Sequence, residues 1–524
     1  MKVIIIGLDG VTWDVLDNEL LEHHMPTLAR LKKEGCYGDL RSTDPATTST
    51  AWTSFLTGCK PSKHGVFGYQ NYSFENGRMN LVNSSYCRVP TFFEELSRQG
   101  LKVVGINVPW TYPCPKVNGV MVAGFGCPIP DAQFTYPPEL KEEIFKKIPD
   151  YDISPKNIFQ SKMDIHSLEN DIRLVKRSFE QKYQVAQLVS EKVDWDVMMV
   201  QFQDTDVIHH HVWSYVGKEQ RDRYPRQRDL FFGLYNSLDD TVARILMLGA
   251  DTEQKLAVIV SDHGGMPLFG EVRPNVLLEK WGYLKTRNSI QEEIGRIFKK
   301  ARKTFFPLEP GDTSGRILNG KVVKWKAAVL HAASTLAYLY LNADCTDEHK
   351  EEILKTLKNK FENVFDPVTQ KPIFNKVETP EEYFGRSNLQ RSLVGDLVLE
   401  PQAGYEIRCS FSKRKGYLHS SADPLAGTHK KIGVYILCGP QIQSCNGSQK
   451  HIVDIAPTLY AALDLPLPEY LDGSVFREAF TSELNVRYQT NSQSSINSAG
   501  KEKRELTEKQ EDAIVERLKT LGYM

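Results

Sequence analysis

Several short runs of Val, Ile and Leu in this chain are followed at once by acids and histidines. Val3–Ile6 leads into Gly7, Leu8, Asp9 and Gly10, and Val197–Gln201 into Asp204, Asp206 and His210. Leu256–Val260 leads into Ser261, Asp262, His263 and Gly264, and Lys102–Ile106 and Gly433–Leu437 are runs of the same kind. Runs this short and apolar suit strands buried on both faces of a mainly parallel sheet. Between them lie helical patterns such as Asp171 to Val193, where Ile172, Val175, Phe179, Tyr183, Ala186 and Val189 recur at helical spacing. The alternation predicts an α/β fold, a mainly parallel central sheet sandwiched by helices. In such sheets the carboxyl ends of the strands open into the crevice where ligands bind. Three separate strands thus deliver Asp, or Asp with His, to one rim.

Composition narrows the function classes. The chain has 524 residues, 41% hydrophobic and 25% charged, which excludes global disorder. Lys and Arg number 65 against 66 Asp and Glu, so no net positive field draws the chain to nucleic acid or anionic lipid. Nine cysteines without a C-x-x-C pair fit a reducing compartment and argue against a disulfide scaffold or a thiolate zinc site. The apolar run in MKVIIIGLDG is too short for a signal peptide. The window Ala327–Leu341 holds His331, Ser334 and Thr335, falls short of a membrane span, and is expected to be buried or lid structure. These features predict a cytoplasmic protein with no nucleic-acid polymer and no membrane as partner. They say nothing about oligomeric state.

The expected organisation is a catalytic core over 1–283 and 395–484, interrupted by an inserted cap over 284–394 that carries basic residues from Lys299 to Lys303 and its own helix near Glu348–Glu362. A Ser/Asn/Gln-rich linker over 485–506 and a C-terminal helix over 507–524 follow.

Each chemical motif has an ordinary reading beside the functional one. Asp9 can be a turn residue before Gly10, and Asp262–His263–Gly264 a turn with a solvated histidine. Asp206 and His210, four apart, share one face of a helical turn and can clamp one ion, or be a surface pair. Their joint occurrence just after core strands favours a site. From Asp44 to Gly65, Thr47, Thr48, Ser49 and Thr50 precede a helix-like run, Ala51–Leu56. Hydroxyls there are N-caps, or they face the positive helix end that favours an oxyanion and a phosphate. His209 and His211 flank His210 and are expected to support it or lie at the surface. Cys59-Lys60-Pro61-Ser62-Lys63 is similar to the C-x-P-S-R signature of sulfatases. It carries Lys63 where Arg is required and follows Thr57–Gly58 where the signature precedes such a pair, so Cys59 is expected to be structural.

Taken together, the motifs resemble the type I phosphodiesterase/nucleotide pyrophosphatase family of the alkaline phosphatase superfamily. They are GLDG, TSTAWTSFLTG with its later P and HG, NVPWTYP, Asp206–His210–Trp213, SDHGG, Gly427–His429, DIAPTLYAALDLPLP, DGSVF and a final LGY. The resemblance implies an alkaline phosphatase-like fold and a hydrolase of phosphodiester or nucleotide pyrophosphate bonds in a small-molecule phosphate ester substrate, with two divalent ions, zinc in the first instance and manganese as the alternative. Asp9, Asp262 and His263 would bind one ion together with Thr48, and Asp206, His210 and His429 the other. Thr48 would be the nucleophile, through a covalent phospho-enzyme intermediate. A threonine hydroxyl needs such activation near neutral pH, and two ions roughly 4 Å apart suit an in-line displacement at phosphorus. The family's phosphate-holding asparagine has no direct match, because Tyr69 stands at its position; Asn71 and Asn107 are the candidate substrate-binding residues. A phosphomonoesterase, a phosphoglycerate mutase-type phosphotransferase, or a non-catalytic binding protein are the alternatives.

Overall fold

The computed structural model describes residues 1–75, 77–129, 132–153, 155–159, 164–249, 255–286, 322–342, 347–386, 389–410, 416–421, 424–489 and 504–520. The chain forms two compact units. The first comprises Met1–Val66, Val82–Leu268 and Asp423–Met524, and the second comprises Phe67–Leu81 and Phe269–Ala422.

The first unit is built on a ten-stranded sheet. Its strands are β1 (Lys2–Leu8), β2 (Cys36–Arg41), β3 (Val103–Val108), β4 (Gly119–Ala123), β5 (Thr135–Tyr136), β6 (Val197–Phe202), β7 (Lys255–Val260), β8 (Ile432–Cys438), β9 (Cys445–Asn446) and β10 (Lys450–His451). The order is β9-β2-β8-β7-β1-β6-β3-β4-β5, with β10 also on β2. Strands β7, β1, β6, β3 and β4 are mutually parallel. Strand β8, expected from its Val and Ile content, runs antiparallel to β7 and β2. The central strands β1, β3, β6 and β7 are buried at nearly every position, which explains why their sequences are apolar without alternation.

Helices cover the sheet. The helix α1 (Thr48–Thr57) packs Ala51, Trp52, Phe55 and Leu56 into the same cluster as Val3, Ile5, Val197 and Val258. The helix α2 (Ile165–Ser190) begins at an Asp164 side-chain cap and buries Ile172, Val175, Phe179, Val185 and Ala186. The helix α3 (Asp204–Val216) follows β6 directly, with a break at Val212. The C-terminal helix α4 (Glu508–Thr520) buries Ile514 and Leu518, and its Arg517 reaches Asp152 at 2.6 Å. Residues 490–503, most of the expected linker, lie outside the described residues.

The second unit has an antiparallel sheet in the order Ala327–Ala333, Leu336–Leu341, Leu397–Pro401, Phe374–Glu378. The apolar window of the sequence is the hairpin of the first two strands, turning at Ser334 (φ 46°) and buried almost throughout. Helix Asp347–Glu362 packs Leu357 and Phe361 into this unit's core. The unit is wider than the 284–394 insertion expected, because Gly270–Val272 pairs with Tyr405–Ile407 and Leu418–Ser420 in one sheet. The basic stretch Lys299–Lys303 lies outside the described residues. Among the described residues no helix is long and apolar enough to cross a membrane.

Candidate active site

Strand register alone brings the first carboxylates together. Gly7 pairs with Val260 on one side and Gln201 on the other, so Asp9 and Asp262 each stand two residues past a paired position. Gly10 N–H donates to Asp262 Oδ1 at 3.2 Å. Gly10 adopts φ 68°, and a Cβ on it would fall 2.5 Å from Asp206 Oδ1, so a side chain there would displace that carboxylate. Thr205 Oγ1 donates to the carbonyls of Asp9 (2.6 Å) and Phe202 (3.1 Å), tying the first turn of α3 to the end of β1.

The six ligand candidates fall into two groups, Asp9–Asp262–His263 and Asp206–His210–His429. Within each group the ligand atoms lie within 4.8 Å of one another, and all six residues are buried. His263 and His429 stack with ring centroids 3.7 Å apart, so the groups share a wall. His429 comes from the strand Gly427–Lys430, paired to Gly264–Pro267 with His429 opposite Gly265. Because β8 is antiparallel, its beginning lies at the rim where the parallel strands end, and the residues just before it reach the same place.

The tautomers follow from backbone partners. His429 Nδ1 sits 2.8 Å from the carbonyl oxygen of Ala46, and His263 Nδ1 3.2 Å from that of Gly264. A carbonyl only accepts, so each Nδ1 carries the hydrogen. Burial holds the His429 imidazole down to about 4 and that of His263, with His429 beside it, well below its usual range. Both rings are therefore neutral at pH 7, with Nε2 a bare lone pair. His429 Nε2 lies 2.8 Å from His210 Nε2. His263 Nε2 faces Asp262 Oδ2 at 3.3 Å and Asp9 Oδ1 at 3.6 Å.

Those contacts set lone pair against carboxylate. Among the described residues, His263 Nε2 and Asp262 Oδ2 are buried without any hydrogen-bond partner. Burial and then the charges of Asp262 and Asp206 push the Asp9 carboxyl well above its usual range, and burial and Asp206 do the same to Asp262. Orphaned acceptors around an uncompensated cluster of carboxylates fit a cation, and a mixed Asp/His donor set fits zinc or manganese.

Of the four successive hydroxyls, Thr48 is the one directed at this cluster: its Oγ1 donates to Asp9 Oδ1 at 3.4 Å. Thr47 is the N-cap of α1 but makes no cap bond through its side chain; its hydroxyl pairs with Thr50 and Ser49. The first-turn N–H groups thus keep their capacity for an anion.

Two supporting residues were not among the site candidates read from the sequence. Trp52 Nε1 and Gln201 Nε2 each donate to Asp9 Oδ2 at 2.7 Å, leaving Oδ1 toward Thr48 and His263. Trp52 is four residues after Thr48 and so shares its helix face, a spacing that identifies it in retrospect. His209 is buried between the Gly10 carbonyl (2.9 Å) and the Tyr235 hydroxyl (2.8 Å), while His211 is half-buried.

The two candidate asparagines belong to different units. Asn107, at φ 57° in β3, accepts from Tyr151 OH at 2.7 Å and donates to the Ile153 carbonyl at 3.4 Å. Asn71 belongs to the second unit, in the strand Gln70–Ser73, and its Oδ1 has no partner among the described residues. Cys59 is fully buried, its thiol 3.5 Å from the Tyr470 carbonyl and pushed up to about 12 by burial. A cleft of about 770 Å³ lined by Trp13, Lys32, Tyr37 and Arg221 lies elsewhere in the first unit and includes none of the ligand candidates.

A family model for type I phosphodiesterase/nucleotide pyrophosphatase matches residues 3–429, a span that holds all six ligand candidates and Thr48. The chain belongs to the type I phosphodiesterase/nucleotide pyrophosphatase family. It is accordingly a hydrolase of phosphoesters. The alkaline phosphatase-like fold is shared with phosphonoacetate hydrolase from Sinorhizobium meliloti 1021 in complex with phosphonoformate, at TM-score 0.53 and 16% identity over 87% of this chain and 94% of that one. Human ectonucleotide pyrophosphatase/phosphodiesterase 5 is also similar, at TM-score 0.51 and 13% identity over 92% of this chain and 100% of that one. No curated protein sequence matches at a significant level.

Proposed function

We propose that the chain hydrolyses small phosphodiesters or nucleotide pyrophosphates through Thr48, with Asp9, Asp262 and His263 holding one divalent cation and Asp206, His210 and His429 a second. The observation that carries this reading is the approach of Thr48 Oγ1 to within 3.4 Å of Asp9 Oδ1, beside two buried groups of Asp and His. When bound, the ions, zinc or manganese, supply positive charge that lowers the barrier to attack on an anionic phosphorus. The protein's own part is orientation. Trp52 and Gln201 hold Asp9, the Ala46 carbonyl holds His429, and the helix end places Thr48 where its oxygen can meet phosphorus opposite the leaving alcohol. The Thr48 hydroxyl loses its proton as its oxygen forms the new P–O bond, the bond to the leaving oxygen breaks and that oxygen takes up a proton from solvent, and water then cleaves the phosphothreonine ester, releasing the phosphate with its retained group and restoring the Thr48 hydroxyl. The eight described cysteines are all free, which suits the cytoplasmic setting we assign.

The test compares wild type and Thr48→Ala on bis-(p-nitrophenyl) phosphate and p-nitrophenyl phosphate, with zinc and with manganese. The variant should bind two metal ions and lose about 10³-fold or more in kcat/KM. Unchanged hydrolysis by Thr48→Ala refutes the nucleophile, and a wild-type protein that binds no metal refutes the site. Faster turnover of the monoester than of the diester refutes the substrate class.

A further inference from the structure

We propose that Lys182 is a positioning residue for the second metal group, selecting Asp206 over Asp204 as its carboxylate; this rests on the two-metal reading above. Lys182 lies on α2 with its side chain fully buried, a place a lysine occupies only when paired. Its ammonium has three hydrogens and three partners: Asp204 Oδ2 at 2.8 Å, Ser178 Oγ at 2.6 Å and the Ile153 carbonyl at 2.9 Å. Asp204 is equally buried and is the first residue of α3. Asp206 and His210 follow two and six residues later on the same helix.

Stability does not account for such a pair, since two apolar side chains of similar volume serve a fold as well or better. Direction does. The ion pair anchors the start of α3 to α2, while the neighbouring Thr205 hydroxyl anchors it to the Asp9 carbonyl. Between them these bonds set the rotation of the first helical turn, and so where Asp206 and His210 point. Charge is the second part. Asp204 is a fourth buried carboxylate close in sequence to the cluster, and its Oδ1 has no partner among the described residues. Lys182 neutralises it, so that it does not draw a cation away from Asp206.

Zinc binding to the full-length protein tests this, by competition with a chromophoric chelator after metal removal. Wild type should bind two equivalents, with the one lost in His210→Ala assigned to the second group. In Lys182→Met/Asp204→Leu, which leaves no unpaired charge, that equivalent should weaken at least about tenfold while the other keeps its affinity. A merely structural pair would lower the thermal midpoint, or both affinities together. Both equivalents binding as in wild type, or both weakening alike, overturns the proposal. Should the double variant fail to fold, Asp204→Asn decides by the same criterion, with a selective loss of several-fold expected. No zinc on wild type overturns the two-metal reading itself, a result separate from any difference between variants.

Discussion

Replacing Gln201 with leucine removes one of the two hydrogen bonds that hold Asp9 Oδ2 and keeps nearly the same volume. Gln201 is fully buried; its Nε2 donates to Asp9 at 2.7 Å and to Gln203 Oε1 at 3.3 Å, and its Oε1 has no partner among the described residues. A hydrogen bond to a charged group contributes about 1.5–3 kcal/mol, and an unsatisfied buried acceptor costs about 1–3 kcal/mol. For folding of the metal-free protein the relieved acceptor opposes the lost bond to Asp9, and the lost bond to Gln203 adds about 1 kcal/mol, so the expected net loss is about 1 kcal/mol. Metal binding sees only the lost bond to Asp9, because Asp9 must be ionised and aimed to hold a cation. Loss of such an outer-shell donor typically weakens metal affinity about 10–100-fold, which is roughly 1.4–2.7 kcal/mol and matches the bond removed. The assay is zinc competition against a chromophoric chelator, paired with urea unfolding of the metal-free protein. Zinc affinity within about twofold of wild type would refute the orienting role, by the scale of outer-shell effects. A stability loss above about 3 kcal/mol would show that the pocket cannot accept leucine, and that the cancellation is wrong.

Other outcomes follow from the same structure. Burial and Arg88 hold the His64 imidazole down to about 3, between Ser54 Oγ (2.8 Å) and the Val66 N–H (3.1 Å). A folded-state value below the unfolded one means that this stabilisation is complete above pH 6.5 and is lost as pH falls toward 3. The slope is about 1.4 kcal/mol per pH unit, so His64→Gln should lose about 2 kcal/mol less than wild type between pH 6.5 and 5 in urea titrations of metal-free protein. Chelation should abolish turnover and lower the thermal midpoint, with zinc at 100 times its Kd restoring about 2.7 kcal/mol per site; an unmoved midpoint would argue against buried metal. Cys59→Ser should keep kcat/KM within about twofold and cost about 1 kcal/mol of stability, whereas an activity loss like that of Thr48→Ala would make the thiol part of the chemistry.

Much of this site is legible in the linear chain because parallel α/β sheets have a simple rule: strands end at one rim. Asp9, Asp206, Asp262 and His263 each follow a short Val/Ile-rich run and could be grouped on that basis alone. His429 could not, since it precedes a strand, and strand content does not disclose direction; only the family motif pointed to it. Thr48 stood among four hydroxyls that local pattern treats alike. The extent of the second unit was also hidden, because the pairing of Gly270–Val272 with Tyr405–Ile407 and Leu418–Ser420 spans well over a hundred residues.

By itself the sequence determined the α/β class, five strands of the main sheet and the kinds of donor available, since these depend on side-chain chemistry and on periodicities spanning a few residues. Tertiary structure decided that β8 runs antiparallel and so returns His429 to the rim. It also decided which hydroxyl faces Asp9, that Trp52 and Gln201 grip the far oxygen of Asp9, and that Lys182 engages Asp204. Those are matters of direction and distance between segments far apart along the chain, and they exist only once the core has packed.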